Sequence, residues 1–189
     1  MYRGDVRRWL GASGSLSARL AGAGQKFSVQ VLAQGRQRLH PEEARALGLP
    51  GGQSGYVREV LLRVDGIAVV FARSVTAHAH SLGPWRSIRG LGTRPLADVL
   101  FKRMGLARTP LEFCKLKPAS RVRRHAARAW QQATGEVVAA RSLPARRSVF
   151  TRRGAPLLVM EVFADGRLPW CWPAGHQADW TLPVFKEKE

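Results

Sequence analysis

The stretch YVREVLLRVDGIAVVFARSV, residues 56–75, decides the fold: it reads as two β-strands joined by a tight turn. Side chains alternate across a strand. Tyr56, Arg58, Val60, Leu62 and Val64 therefore share one face, and Val57, Glu59, Leu61, Arg63 and Asp65 share the other. Asp-Gly between β-rich runs favours a two-residue hairpin, whose central residues both need positive φ. With Asp65-Gly66 in that turn, Val64 faces Ile67, and counting outward sets Arg58 opposite Arg73. Like charges directly opposed on a sheet repel. Either a bulge breaks this register or an anion lies between the two guanidinium groups.

A second hairpin is predicted near the C-terminal end, where ARRSVFTRRG and APLLVMEVFADG meet at a turn containing Gly154. Leu157, Val159, Glu161 and Phe163 share a face there, so a carboxylate stands among apolar neighbours just as Arg58 does. Between and before the hairpins the signals are helical. SLSARL opens on a Ser cap at Ser15, and HPEEARALGLPGG carries Pro41 near its start, acids in its first turn and Gly48 with Pro50 at its stop. Phe27, Val29 and Val31 alternate as a strand face. SLGPWRSIRGLGTRPLADVLFKRM reads as helix, glycine-containing turn, helix, an arrangement suited to a lid, and RVRRHAARAWQQATGEVV reads as a basic surface helix.

At 189 residues the chain suits one domain able to bury a core without disulfides. We expect that domain to occupy residues 1–166, with residues 167–189, which hold Trp170, Trp172 and Trp180, as a C-terminal extension. The formal charge of +18 comes almost wholly from arginine, since the only lysines are Lys26, Lys102, Lys115, Lys117, Lys186 and Lys188. Such a field attracts small anions, nucleic acid and acidic lipid alike, and the arginines are spread along the whole chain, so charge alone identifies no partner. Cys114 and Cys171 lack CxxC or Cys/His metal spacing and read as free thiols of a reducing compartment. The sequence has neither an apolar run of bilayer-spanning length nor a secretory signal, and a cytoplasmic location is expected. His78 and His80 form an HxH pair without a third ligand, Cys114 has no base partner, and GLG at residues 90–92 does not continue as GxGxxG. Walker, Rossmann, zinc-finger and helix-turn-helix signatures are missing as well, so no metal, no cofactor and no specific nucleic acid are expected.

A buried Arg or Glu is costly unless it is paired and hydrogen-bonded. Two readings of Arg58 and Glu161 stay open on alternation alone: a buried salt bridge between them, or a cavity that both face. Arg offers a planar fork for a carboxylate and Glu an acceptor for a hydroxyl, so the second reading suits a small, doubly anionic, hydroxylated ligand.

SLSARL, YVREVLLRVDG running into VVFARSV, SLGPWRSI with LGTRPLADVLF, then ARRSVF and GAPLLVMEVF resemble, in order and at similar intervals, the chorismate lyase family of ubiquinone biosynthesis. The resemblance implies an α+β fold, a single antiparallel β-sheet with helices packed on one side and helical flaps over a buried ligand site. It implies a cofactor-independent carbon–oxygen lyase that converts chorismate into 4-hydroxybenzoate and pyruvate. By matched position, Arg58 would grip the ring carboxylate and Glu161 would contact the ring hydroxyl, as base or as positioning group. Leu16 and Leu96 would contact the ligand, and Arg73 would lie at the back of the site. A monomer is expected, with weak association with acidic membrane surfaces allowed by the charge. The rival class is a non-catalytic small-anion sensor, because effector domains of GntR-type regulators resemble the same fold.

Overall fold

The computed structural model describes residues 4–100, 106–138 and 140–164. Two hairpins with tight turns build its centre. Strand β2 (Ser54–Val64) turns through Asp65 and Gly66 into β3 (Ile67–Ala77), and β6 (Leu143–Arg152) turns through Arg153 and Gly154 into β7 (Ala155–Phe163). All four turn residues have positive φ, between 48° and 81°, as two-residue turns matching the twist of the strands require. Asp65 adopts it because its side chain is used locally: Oδ1 accepts from the Lys26 N–H at 2.7 Å. That bond pins the turn against the start of β1 (Phe27–Arg38).

The hairpins pair through β3 and β7, and the described strands form one seven-stranded sheet in the order β1-β2-β3-β7-β6-β4. Two short segments, β4 (Ala107–Arg108) and β5 (Glu112–Leu116), both pair antiparallel with β6. Their alternation is too short and too polar to stand out from a loop, and β6 supplies the pairing that defines them. The fold is α+β, with a single antiparallel sheet.

Helical segments lie on both faces. On one, α6 (Arg121–Thr134) lays Val122, Ala126 and Trp130 against Leu61, Phe71 and Val162, while α3 (Pro41–Ala46) packs Ala44 near Val57, Val75 and Leu158. Helix α6 starts at Ser120, whose Oγ accepts from the Arg123 N–H, and ends at left-handed Gly135. That face is closed. On the other, α1 (Gly4–Gly11) and α2 (Leu16–Ala21) pack Trp9, Leu10, Leu16 and Leu20 over Val60, Leu62, Val70 and Phe163. Ser15 caps α2 as its sequence predicts, accepting from the Ala18 N–H at 3.1 Å.

The remaining cover on this face departs from the predicted helix–turn–helix. Helix α4 (His78–Leu82) stops at Gly83-Pro84, a 3₁₀ turn spans Arg86–Ile88, and α5 is described only over Ala97–Leu100. Pro84 supplies no N–H and restricts the residue before it, so helical periodicity in the side chains could not carry the helix across it. Trp85, Ile88, Leu91 and Leu100 still bury their apolar groups against Leu157 and Phe150. Residues 167–189, including the three C-terminal tryptophans, lie outside the described residues, and so does Cys171.

Candidate active site

The two hairpin registers decide which charged residues meet. Between β2 and β3 the pairing starts at Val64↔Ile67 as predicted, but Leu62 then pairs with Val70 while Arg63 pairs with Ala68. Val69 is the extra residue of a bulge. One inserted residue reverses the face of every side chain beyond it relative to the partner strand. Arg58 therefore lies opposite Ser74, and Arg73 lies opposite Glu59. The predicted opposition of two arginines does not form, and Arg73 does not reach the cleft face.

Arg73 is instead the centre of a buried network on the α3/α6 face. Its Nε donates to Glu43 Oε1 at 2.6 Å, Nη2 to Glu43 Oε2 at 3.0 Å, and Nη1 to Gln37 Oε1 at 3.2 Å and to Glu59 Oε1. His125 of α6 meets the same Glu59 oxygen at 2.6 Å. Burial acts to lower the Arg73 pKa, but Glu43 and Glu59 outweigh it and the value is raised. Arg73 is thus paired on every side, which is what makes its burial tolerable.

The second hairpin carries the other half of the site. Two residues in the turn place Arg146 opposite Glu161 and Ser148 opposite Val159. Continued across the sheet, one row reads Arg58, Ser74, Val159, Ser148, and the next reads Val60, Ala72, Glu161, Arg146. Arg58 and Glu161 are separated by two strand spacings and one two-residue step, about 12 Å between Cα atoms at ordinary sheet dimensions. They share a face but do not pair. Glu161 takes Arg146 Nε on Oε2, and its Oε1 has no partner among the described residues.

Arg146 was not singled out from the sequence, although the hairpin that predicts Gly154 in the turn also implies the pairing with Glu161. Its Nη1 donates to the carbonyls of Trp9, Leu10 and Ala12 at 3.0–3.1 Å. One guanidinium therefore fastens the end of α1 to the sheet and holds the Glu161 carboxylate. Arg58, only 2% exposed, uses Nη2 to reach the carbonyls of Gly92 and Arg94, both at 2.9 Å, in the segment that crosses over the cleft. Its Nε is buried without a hydrogen-bond partner, and it has no carboxylate partner among the described residues. Burial pushes the Arg58 guanidinium below its ordinary pKa, with Tyr56 acting weakly the other way.

Between these groups lies a cleft of about 620 Å³, part of it open to solvent. Arg58, Glu161, Leu16 and Leu96 all line it, together with Arg108 and Arg146. Leu16 comes from α2 and Leu96 from the segment before α5, so the covering elements add apolar walls over a sheet floor that supplies the charges together with Val60, Leu62 and Val159. Among the described residues no three His, Cys, Asp or Glu side chains gather where they could hold a metal ion, and no helix is long and apolar enough to cross a membrane. A cleft with a half-satisfied arginine at one end and an anchored carboxylate beyond it can orient an aromatic or cyclohexadiene acid carrying a hydroxyl.

The sequence profile of the family described as Chorismate lyase matches residues 3–170. A protein of Albidiferax ferrireducens named "Probable chorismate pyruvate-lyase" is 71% identical over 172 residues, covering 91% of this chain and 87% of its own. One of the same name from Aromatoleum aromaticum is 44% identical, covering 84% and 83%. Among solved structures, a GntR-family transcriptional regulator from Bacillus cereus aligns with TM-score 0.54 at 11% identity, covering 76% of this chain and 95% of that one. The effector domain of PhnF from Mycobacterium smegmatis aligns with TM-score 0.53 at 16% identity, covering 82% and 91%. These structural likenesses concern the fold alone.

Proposed function

Since the chain belongs to the chorismate lyase family and is a lyase acting on chorismate, we propose that it yields 4-hydroxybenzoate and pyruvate from this cleft, in the cytoplasm, as the step committing chorismate to ubiquinone. The observation that supports the site is the arrangement of Arg58 and Glu161. They line one cleft, too far apart to neutralise each other, and Arg58 Nε and Glu161 Oε1 have no hydrogen-bond partner among the described residues.

Arg58 grips the ring carboxylate, and Glu161, aimed by Arg146, accepts the hydrogen bond of the ring hydroxyl on Oε1. Leu16 and Leu96 close the apolar ring faces. Arg73 serves to hold the sheet and α3 together. In the reaction the hydrogen on the hydroxyl-bearing ring carbon leaves as a proton, and its electron pair forms the new ring double bond. The neighbouring C–O bond breaks, and the enolpyruvate released takes a proton on its methylene carbon to become pyruvate. Aromatisation drives the step. The protein's contribution is to hold the side chain in line and stabilise charge on the departing oxygen. With Oε2 committed to Arg146, Glu161 acts as the group that positions the hydroxyl.

Incubating the purified protein with chorismate tests the reading: pyruvate and 4-hydroxybenzoate should appear in equal amounts. Binding of 4-hydroxybenzoate without any turnover would instead support the sensor class. The sensor likeness rests on 11–16% identity and concerns the fold, whereas the lyase relatives reach 71% over most of the chain.

A further inference from the structure

Four arginines line the cleft: Arg58, Arg108, Arg146 and Arg147. Two of them are neutralised locally, Arg146 by Glu161 and Arg147 by Glu112 at 2.7 Å. Arg58 and Arg108 are left without a carboxylate among the described residues. Two unneutralised guanidinium groups in one cleft match a ligand with two carboxylates.

Arg108 belongs to β4, beside Phe150 of β6. Its guanidinium stacks over the Phe150 ring, 4.9 Å from the centroid. Its Nε donates to Ser148 Oγ at 3.0 Å, and that serine is itself 3% exposed. Stacking and the serine fix the plane of the fork and leave both terminal amines for a ligand, the geometry a bidentate carboxylate needs. Burial, and then repulsion from Arg146, push the Arg108 pKa down, with Glu161 opposing. An anion at this point would relieve that repulsion.

Position along the sheet distinguishes the two arginines. Ser148 ends the row that Arg58 begins, three strand spacings away, and Glu161 lies on the strand between them. A ring held by its carboxylate at Arg58 and by its hydroxyl at Glu161 points its far end toward β6 and β4. In chorismate the enolpyruvyl ether is attached next to the hydroxyl-bearing carbon, so its carboxylate projects from that far end.

We infer that Arg108, oriented by Ser148 and Phe150, is the seat of the enolpyruvyl carboxylate and so the residue that distinguishes chorismate from its aromatic product. The inference rests on the reading that Arg58 holds the ring carboxylate. It gives the leaving group an anchor of its own, keeping the departing enolpyruvate in line while the ring is held from the other end.

Substrate and aromatic product separate this inference from the reading beneath it, because 4-hydroxybenzoate keeps the ring carboxylate and hydroxyl but lacks the side-chain carboxylate. Arg108→Gln should lower kcat/KM for chorismate by about 10- to 100-fold, the range for losing a charged hydrogen-bond pair, with the Kd for 4-hydroxybenzoate unchanged. Arg108→Lys, which keeps the charge but not the fork, should recover part of the loss. Retained product binding shows that the variant is folded. Ser148→Ala provides a milder second variant and should give a smaller loss of the same selectivity. Unchanged kcat/KM in both Arg108→Gln and Ser148→Ala would overturn the inference, as would equal weakening of chorismate and 4-hydroxybenzoate by Arg108→Gln. If Arg58→Ala leaves 4-hydroxybenzoate binding intact, the assignment of Arg58 fails, a result visible independently of Arg108.

Discussion

Arg73 and Glu59 face each other across β2 and β3 and form an ion pair buried beneath α3 and α6, on the side of the sheet away from the cleft. Removing one member of such a pair leaves the others charged and buried. Arg73→Met should lower the free energy of unfolding by about 3–5 kcal/mol, because Glu43 and Glu59 lose their common partner. Turnover of chorismate per folded molecule should stay near that of the parent protein. Urea unfolding and the lyase assay check the two halves; full stability with lost turnover would return Arg73 to the active site.

The same network makes stability depend on pH. Burial acts to raise the Glu59 pKa, but the hydrogen bond and charge of His125, then those of Arg73, outweigh it and hold the carboxyl below its ordinary value. A carboxyl lowered by folding contributes stability that is complete above its unfolded pKa, about 4.3, and is lost as pH falls through the lower folded value. The unfolding free energy should therefore decline as the protein is acidified through and below that range. Glu59→Gln should show a shallower decline than the parent protein in urea unfolding at a series of pH values. Identical slopes would remove Glu59 as a source of acid sensitivity.

The site was legible in the sequence as far as strand alternation and turn type reach. Alternation put Arg58 and Glu161 on inward faces, and both hairpin turns form where Asp65-Gly66 and Gly154 predict. The face of Arg73 was lost because a bulge at Val69 leaves no mark in a run such as IAVVFA, where either face is apolar. Arg146 is implied by the same outward count that applies to the first hairpin, taken from the Arg153-Gly154 turn to Glu161. Arg108 had no comparable signal. Its strand is two residues long, and only pairing with β6 brings it to the cleft.

Arg146 links the site to the fold. Arg146→Met should remove the contacts to the carbonyls of Trp9, Leu10 and Ala12 and leave Glu161 without its partner. We expect a loss of about 3–5 kcal/mol, the range for breaking a buried charge pair. Amide hydrogen exchange should show α1 losing protection first. If α1 stays protected to the same degree, the guanidinium is not what fastens it.

Glu161→Gln keeps the shape of the side chain and removes its charge. Chorismate turnover and 4-hydroxybenzoate affinity should both fall, the latter by about 10-fold or more for a hydrogen bond to a charged acceptor. Product titration by calorimetry measures the second effect. An affinity equal to that of the parent protein would take the hydroxyl away from Glu161.

Arg58 is the guanidinium in the cleft with a buried Nε that no group among the described residues satisfies. The most direct test is calorimetric titration of 4-hydroxybenzoate into Arg58→Ala protein whose circular dichroism and melting temperature match those of the parent. A carboxylate held by this arginine predicts that affinity falls by about 10- to 100-fold. An unchanged Kd would contradict it and place the ring elsewhere.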